Sequence, residues 1–491
     1  MALKSRHLCI FTAALCCFGG SATADESVSA AAASDERVTT GTLDFLDASG
    51  PPDLSCKQAL AAVSPAPKTP SGKSSTTKPP KPDPTGMPVL VVDGEERDVS
   101  ALPGSAPGEL PVQGLEGPEA VLQRLAAVMA RGDAGERVRL SFFGASHTGG
   151  DLWTGHMRRL LQNRWGDLGH GFILPAALYR GYRGNDVNLC RTNGWLADWA
   201  GKANGHGDGR LGFAGMSVSS SNPRDFGWVE TTRTNPHGQA VEWFDVYFLA
   251  QPGGGSLQFV VDESAPQTVS THADSPSIQR VRVKVSDGKH RLTLSPVGDG
   301  EVRIFGVSME RSGGGVLVDA MGIRGRQAKT WLEWDEELAR AGWESLSPDM
   351  VVLAYGTNEA ADQKYTMDAY ARDLRQVLTV LRTAVPEEVP CVLVGPSDRG
   401  YRLQKNVNRF AVWDRTAPVA DVQRLVAPEF GCAFWDWQKA TGGPGSMVAW
   451  RFLEPQLAAG DLIHHTAAGY RWVGEAFLAS LDALGSKESP E

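Results

Sequence analysis

Ser146, Asp461 and His464 are the side chains of this sequence whose types and spacing suit acyl transfer. A serine hydroxyl is a poor nucleophile until a base takes its proton. In the run Asp461-Leu462-Ile463-His464 a carboxylate stands three residues before an imidazole, and on a single turn such residues share one side. Asp461 can then accept from one ring nitrogen and fix the tautomer of His464, which leaves the other nitrogen for a hydroxyl. Attack on an ester also creates an oxyanion that needs donors aimed at it. Gly325, in the run Gly322-Ile323-Arg324-Gly325, lets a backbone N–H come close to a substrate, and Asn358, in Gly356-Thr357-Asn358-Glu359, can donate through its amide. Each piece also has a plain structural reading. Ser146 suits a helix N-cap, Gly325 a tight turn, Asn358 a polar cap, and Asp461 with His464 a surface ion pair.

The elements around these residues favour the chemical reading, because each candidate follows a short apolar run. Val138 to Phe143 predicts a strand that ends in Gly144-Ala145-Ser146-His147-Thr148 and leads into a helix with Met157, Leu160, Leu161 and Trp165 inward and Gly166 as its stop. Val316 to Ala320 and Met350 to Ala354 are further strands, and the latter is nearly all apolar, as a parallel sheet covered on both faces requires. Pro390 to Val394 and Cys432 to Trp435 complete the set. Helices are expected around Val121 to Met129, over Ala328 to Leu338, over Tyr370 to Leu381, around Val422 to Val426, and over Tyr470 to Leu481, the last opening near His464. Strand ends of an open α/β sheet are where such folds place active-site residues.

Between these halves, from about Asn188 to Arg311, helical periodicity gives way to short alternating runs such as Val241 to Leu249 and Val302 to Val307, with turn signals at Pro252-Gly253-Gly254-Gly255 and Asp287-Gly288. The expected fold is a three-layer α/β/α domain split by one inserted antiparallel β-sandwich. Aromatic residues of the insertion are read as core filling, and no sugar-binding residue is assigned among them.

The chain has 491 residues and 42% apolar content, enough for more than one packed core. With 57 acidic against 48 basic residues, a formal charge of −9 and no Lys/Arg cluster, nucleic acid is excluded as a partner. Lys4 and Arg6 precede an apolar run from Leu8 to Phe18 and the small-residue site Ala22-Thr23-Ala24, the pattern of an export signal too short to span a bilayer. The small, polar, Pro-rich stretch from Asp25 to residue 86 reads as an unordered tether. Export would place Cys56, Cys190, Cys391 and Cys432 in an oxidising compartment; Cys391 and Cys432 lie in expected core strands, as buried thiols or as a pair. The resulting division is 1–24 signal, 25–86 tether, 87–187 first part of the α/β domain, 188–312 insertion and 313–491 second part. The sequence does not fix an oligomeric state.

Taken together, Gly144-Ala145-Ser146-His147, Gly322-Ile323-Arg324-Gly325, Gly356-Thr357-Asn358-Glu359 and Asp461-Leu462-Ile463-His464 resemble, in order, the four blocks of the SGNH (GDSL) hydrolase superfamily. Ser-His-Thr in the first block, the inserted β-rich segment, Gly442-Gly443-Pro444-Gly445-Ser446-Met447 and the Asp461 to Tyr470 run resemble bacterial peptidoglycan O-acetylesterases with a carbohydrate-binding-module-like insertion. The resemblance implies a flavodoxin-like α/β/α domain with a jelly-roll-like insertion. It also implies Ser146 as nucleophile, His464 as base, Asp461 as its orienter, and an oxyanion hole made by the N–H groups of Ser146 and Gly325 with Asn358. No metal or cofactor is implied, the substrate is an O-acetylated cell-envelope polysaccharide such as peptidoglycan, and the location is the periplasm or cell surface. A carbohydrate O-acetyltransferase and a non-catalytic glycan-binding protein are the alternatives. Two departures stand out. Ala145 replaces the aspartate usual before the serine, and His465 follows His464, so two imidazoles compete for the role of base. The three-residue offset from Asp461 favours His464, and His147 is read as a helix-start residue whose ring points away.

Overall fold

In the computed structural model of the chain, residues 40–44 and 87–485 are described, apart from 93, 176–181, 183, 233–235, 405 and 406. The expected signal lies outside them, as does most of the expected tether. Thr40–Asp44 are the exception. These five residues form a strand that pairs in parallel with Ser277–Gly288 of the insertion, so this part of the presumed tether has a fixed partner.

The catalytic layer is a parallel sheet of β1 (Arg137–Gly144), β2 (Gly315–Gly322), β3 (Met350–Ala354), β4 (Cys391–Val394) and β5 (Cys432–Trp435), in the order β2-β1-β3-β4-β5. Successive strand residues enter opposite cores, as the two-residue period of a strand demands. Leu140 and Phe142 join α1 (Glu119–Asp133), α2 (Trp153–Trp165) and α6 (Ala467–Asp482) in one apolar cluster. Phe143, Leu353 and Leu393 join α3 (Glu336–Leu346), α4 (Met367–Ala384) and α5 (Thr416–Val426) in the other. The strand order reverses between β1 and β3, and in sheets of this kind the ligand crevice opens at the carboxyl ends flanking that reversal.

The insertion is built of antiparallel strands between Val187 and Glu310, in two sheets. Its start is earlier than expected: Gly171–Ile173, assigned from sequence to the α/β part, already pairs with Val302–Glu310. Its core is continuous with the α3 side of the catalytic layer, because Phe172, Phe213, Trp331, Trp334 and Trp343 belong to one cluster with Val246, Phe259 and Leu294. Trp343 fixes the junction by donating its indole N–H to the Phe213 carbonyl at 2.8 Å.

One more expectation is corrected, one sheet was not anticipated, and the open alternative for Cys391 and Cys432 is decided. The single helix expected over Ala328 to Leu338 is a 3-10 segment, Ala328–Glu333, followed by α3, because Asp335 accepts from the Leu338 N–H and caps a new helix. A four-stranded sheet of Val89–Val92, Glu95–Asp98, Gly400–Arg402 and Arg409–Val412 was not anticipated, since its strands are short and half exposed. Cys391 and Cys432, opposite each other in β4 and β5, are joined as a disulfide, and Cys190 is also disulfide-bonded.

Candidate active site

β1 delivers Ser146 through a turn that only a small residue permits. A side chain at Gly144 would meet the Thr148 hydroxyl at 2.4 Å and the Ala354 carbonyl at 2.7 Å, so the glycine lets β1 and β3 end side by side. Ala145 passes the chain into the single helical turn Ser146–Gly149, closed by a hydrogen bond from the Gly149 N–H to the Ala145 carbonyl at 2.8 Å. Ala145 itself is buried, and this turn forms without a carboxylate at that position.

The opposite wall is the loop before α6. His464 does not open that helix, as the spacing suggested; α6 begins at Ala467 with Thr466 as its N-cap. Asp461 instead organises a tight loop by accepting from the Ile463 and His464 N–H groups at 3.1 and 3.0 Å, with Leu462 in the left-handed region at φ 57°. Its other oxygen meets His464 Nδ1 at 2.7 Å, and His464 Nε2 lies 2.8 Å from the Ser146 hydroxyl oxygen. The spacing argument therefore identified the right pair for a different local reason, an Asp-centred turn rather than a helical one. Partial burial works against the Asp461 carboxylate, but the His464 N–H, the His464 ring and the Ile463 N–H outweigh it and hold the group below its ordinary range. With Asp461 on Nδ1, His464 presents Nε2 as an acceptor, so the arrangement can move a proton from Ser146 to His464.

The second imidazole, His465, is buried, lies face to face with Trp437 at 5.6 Å, and has no hydrogen bond on either ring nitrogen. Burial, reinforced by the neighbouring His464, pushes it down to about 3, so it stays neutral. Its ring packs among Trp437, Trp450 and Tyr470 and makes no hydrogen bond to the serine, although the residue also lines the Ser146 pocket. His147 lies in the helical turn Ser146–Gly149, as expected, and its ring is held by partners other than Ser146. Its ring is buried 5.2 Å behind that of His464, with Nδ1 2.7 Å from the Tyr470 hydroxyl and Nε2 3.2 Å from the Ser397 hydroxyl. Burial, with His464 and His465 beside it, holds it well below the usual histidine range. The Gly442 to Met447 run takes part by packing: buried Asp398 accepts from the Gly445 and Met447 N–H groups, each at 3.0 Å, anchoring the turn before Ser446–Arg451, which carries Trp450 against His465.

Gly325 and Asn358 come from the ends of β2 and β3. Gly325 has φ 71° with open space where a side chain would project, so the conformation rather than crowding calls for glycine. Among the described residues nothing accepts from its N–H. The Asn358 amide donates to the Arg326 carbonyl at 2.8 Å, which fixes its plane and leaves its second N–H available. Glu359, whose role the sequence did not disclose, joins these two donors. It is buried and accepts from the Ala328 N–H at 2.7 Å and the Gly356 N–H at 2.9 Å, tying the segment after Gly325 to the turn that carries Asn358. The signal for it was the three-residue offset from Gly356, the spacing of a capping box. Ser146, Gly325, Asn358, His464 and Arg324 line one pocket of about 480 Å³. Among the described residues no group of three or more His, Cys, Asp or Glu side chains is arranged to hold a metal ion.

Residues 297–472 match the GDSL-like lipase/acylhydrolase family, a span that includes Gly325, Asn358, Asp461 and His464 and leaves out Ser146, which precedes the insertion. No curated protein matches the chain significantly. Among solved structures, a peptidoglycan O-acetylesterase is similar over 77% of this chain and 100% of its own, with 25% identity and a TM-score of 0.62. A two-domain esterase active on acetylated mannans matches 77% of this chain and 58% of its own at 12% identity and a TM-score of 0.34. A family two carbohydrate esterase from Cellvibrio japonicus matches 61% and 98%, at 11% identity and a TM-score of 0.25. The last two superpose too loosely to bear on function. The family match across three of the four blocks, a structural similarity that spans 77% of this chain, and the parallel sheet with its β-rich insertion support a hydrolase domain of the SGNH (GDSL) type within this chain.

Proposed function

We propose that the protein is an exported serine esterase that removes O-acetyl groups from a cell-envelope carbohydrate polymer, peptidoglycan first among the candidates. The observation that carries this reading is the continuous line from Asp461 through His464 to Ser146, at 2.7 and 2.8 Å, beside two donor groups at neighbouring strand ends. Ser146 attacks the acetyl carbonyl as His464 takes its proton, Asp461 stabilises the imidazolium, and the N–H groups of Ser146 and Gly325 with the Asn358 amide receive the oxyanion. As the bond from the acyl carbon to the sugar oxygen breaks, His464 protonates that oxygen to free the sugar hydroxyl, and a water activated by the same ring releases acetate from Ser146. The choice of polymer draws on the similarity to a peptidoglycan O-acetylesterase. An extracytoplasmic location is in keeping with the disulfide-bonded Cys190, Cys391 and Cys432.

Acetate released from O-acetylated peptidoglycan, with the Ser146→Ala protein beside the wild type, tests the reading. Release that vanishes in the variant is expected. Acetyl transfer to an added sugar acceptor in place of acetate release would move the assignment to an O-acetyltransferase, and glycan binding without either product would leave a binding protein.

A further inference from the structure

Beside the Asp461 loop lies an arginine with no assigned task. Gly400–Arg402 and Arg409–Val412 form an antiparallel ladder, and one face of it carries Arg399, Tyr401 and Trp413. The ladder is anchored to both walls of the active site. The Gly400 N–H donates to the Leu462 carbonyl at 3.0 Å, inside the loop that holds Asp461 and His464, and the Trp413 indole N–H donates to the Ala360 carbonyl at 2.7 Å, in the turn that holds Asn358. Trp413 is thereby fixed, and the Arg399 guanidinium lies over its ring, 4.6 Å from the centroid. Tyr401 meets Trp413 edge to face at 5.8 Å and is 42% exposed.

Arg399 is half-buried and, among the described residues, its guanidinium makes no side-chain hydrogen bond or close ion pair; the charge that acts on it is that of Asp461, on the neighbouring loop. By contrast, Arg131, Arg158, Arg164, Arg282, Arg311 and Arg424 each hold a carboxylate. A planar cation kept flat by an aromatic face, with its donors unused, suits a carboxylate, which it can grip through two parallel N–H groups. The exposed Tyr401 ring beside it gives an apolar face with a polar tip, which suits a sugar ring. Arg324 puts another cation in the lining of the Ser146 pocket itself.

We propose that Arg399, with Trp413 beneath it and Tyr401 alongside, is the subsite for a carboxylate-bearing unit next to the acetylated sugar, and that it makes the enzyme selective for acidic over neutral glycans. The inference rests on the esterase reading given above. It deepens that reading by assigning substrate charge to a residue that takes no part in the chemistry.

The test compares kcat/KM for acetate release from O-acetylated peptidoglycan, whose stem peptides carry carboxylates, with that from neutral O-acetylated xylan. The acidic-to-neutral ratio is expected to fall about tenfold in Arg399→Met, one hydrogen-bonded charge pair's worth. Arg399→Lys should restore part of it, and raising the salt concentration should lower the wild-type ratio. A ratio unchanged in Arg399→Met overturns the proposal. So does an equal loss on both polymers and on p-nitrophenyl acetate, which would mean that Arg399 acts through Asp461. A second arm uses the Ser146→Ala protein and calorimetric binding of N-acetylmuramic acid, where Arg399→Met should weaken binding about tenfold and equal binding contradicts the subsite. If the wild type releases acetate from neither polymer, the esterase reading fails, and the binding arm still decides the fate of Arg399.

Discussion

Ser146 and His464 are 318 residues apart in the chain and 2.8 Å apart in space, and what holds them there is specific at the level of single groups. Of the two consecutive imidazoles, only His464 has a carboxylate on one nitrogen and a hydroxyl on the other; His465 is stacked on Trp437 and kept neutral by burial. His464→Ala should therefore lower kcat for ester hydrolysis by at least about 10³-fold, whereas His465→Gln, through loosened packing alone, should cost no more than about tenfold. Equal losses in steady-state kinetics would contradict the assignment of the base. If Asn358 is the oxyanion donor proposed above, Asn358→Ala is expected to lower kcat by about 10²- to 10³-fold with little change in KM. A rise in KM at constant kcat would instead make Asn358 a ground-state binding group. Much of this site was legible in the sequence because the chemistry dictates residue types: a serine after a strand, a glycine and an asparagine after two more, an aspartate three residues before a histidine. Glu359 had a local signal, its capping-box spacing from Gly356, that was not read, whereas His147 and Arg399 were not legible because they act through burial and through partners outside their own turn, Tyr470 for His147 and Trp413 for Arg399.

At the scale of elements, the five parallel strands could be recognised because both faces of the sheet are covered and each strand becomes a short apolar run. The four-stranded sheet beside the active site escaped notice, since Glu95–Asp98 is exposed throughout and Gly400–Arg402 has two exposed residues, so neither shows a hydrophobic run. The insertion was recognised by its change of period, but its edges were not, because Gly171–Ile173 and Thr40–Asp44 join the sandwich from outside the alternating region. The last two strands at one edge of the parallel sheet carry a covalent tie as well, between Cys391 in β4 and Cys432 in β5, across 41 residues. A loop of that length gives a chain-entropy stabilisation of about 4 kcal/mol. Replacing both cysteines by serine should lower the urea midpoint by an amount equivalent to about 2–4 kcal/mol. An unchanged midpoint would show that strand packing alone sets the stability of this edge.

For the whole molecule, buried neutral histidines link stability to pH. His147 and His465 have folded-state pKa values below the ordinary 6.5, owing first to burial and then to neighbouring imidazoles. Below pH 6.5 the unfolded chain takes up protons that the folded chain refuses, so stability falls as pH drops. Each histidine contributes up to about 1.4 kcal/mol per pH unit, and for His465 the effect continues until its folded value of about 3. Asp461, whose value is depressed from 3.8, loses its contribution in the same direction but only at lower pH. The urea midpoint should therefore decline steadily between pH 6.5 and 4.5, and His465→Phe, which keeps an apolar ring against Trp437, should flatten that slope. A pH slope left unchanged by His465→Phe would contradict a His465 ring kept neutral by burial. The sandwich and the α/β layers share one apolar cluster, so the stability measured is that of a common core and not of an appended module. The central claim remains chemical: an acetyl group passes through Ser146. Rapid quenching of the enzyme during turnover of an acetyl ester, followed by mass spectrometry of its peptides, tests this most directly. The account predicts an acetyl group on the peptide containing Ser146, absent from the Ser146→Ala protein and greatly reduced in His464→Ala. Acetate release that persists in the Ser146→Ala protein, or an acetyl group carried by another residue during wild-type turnover, would contradict it.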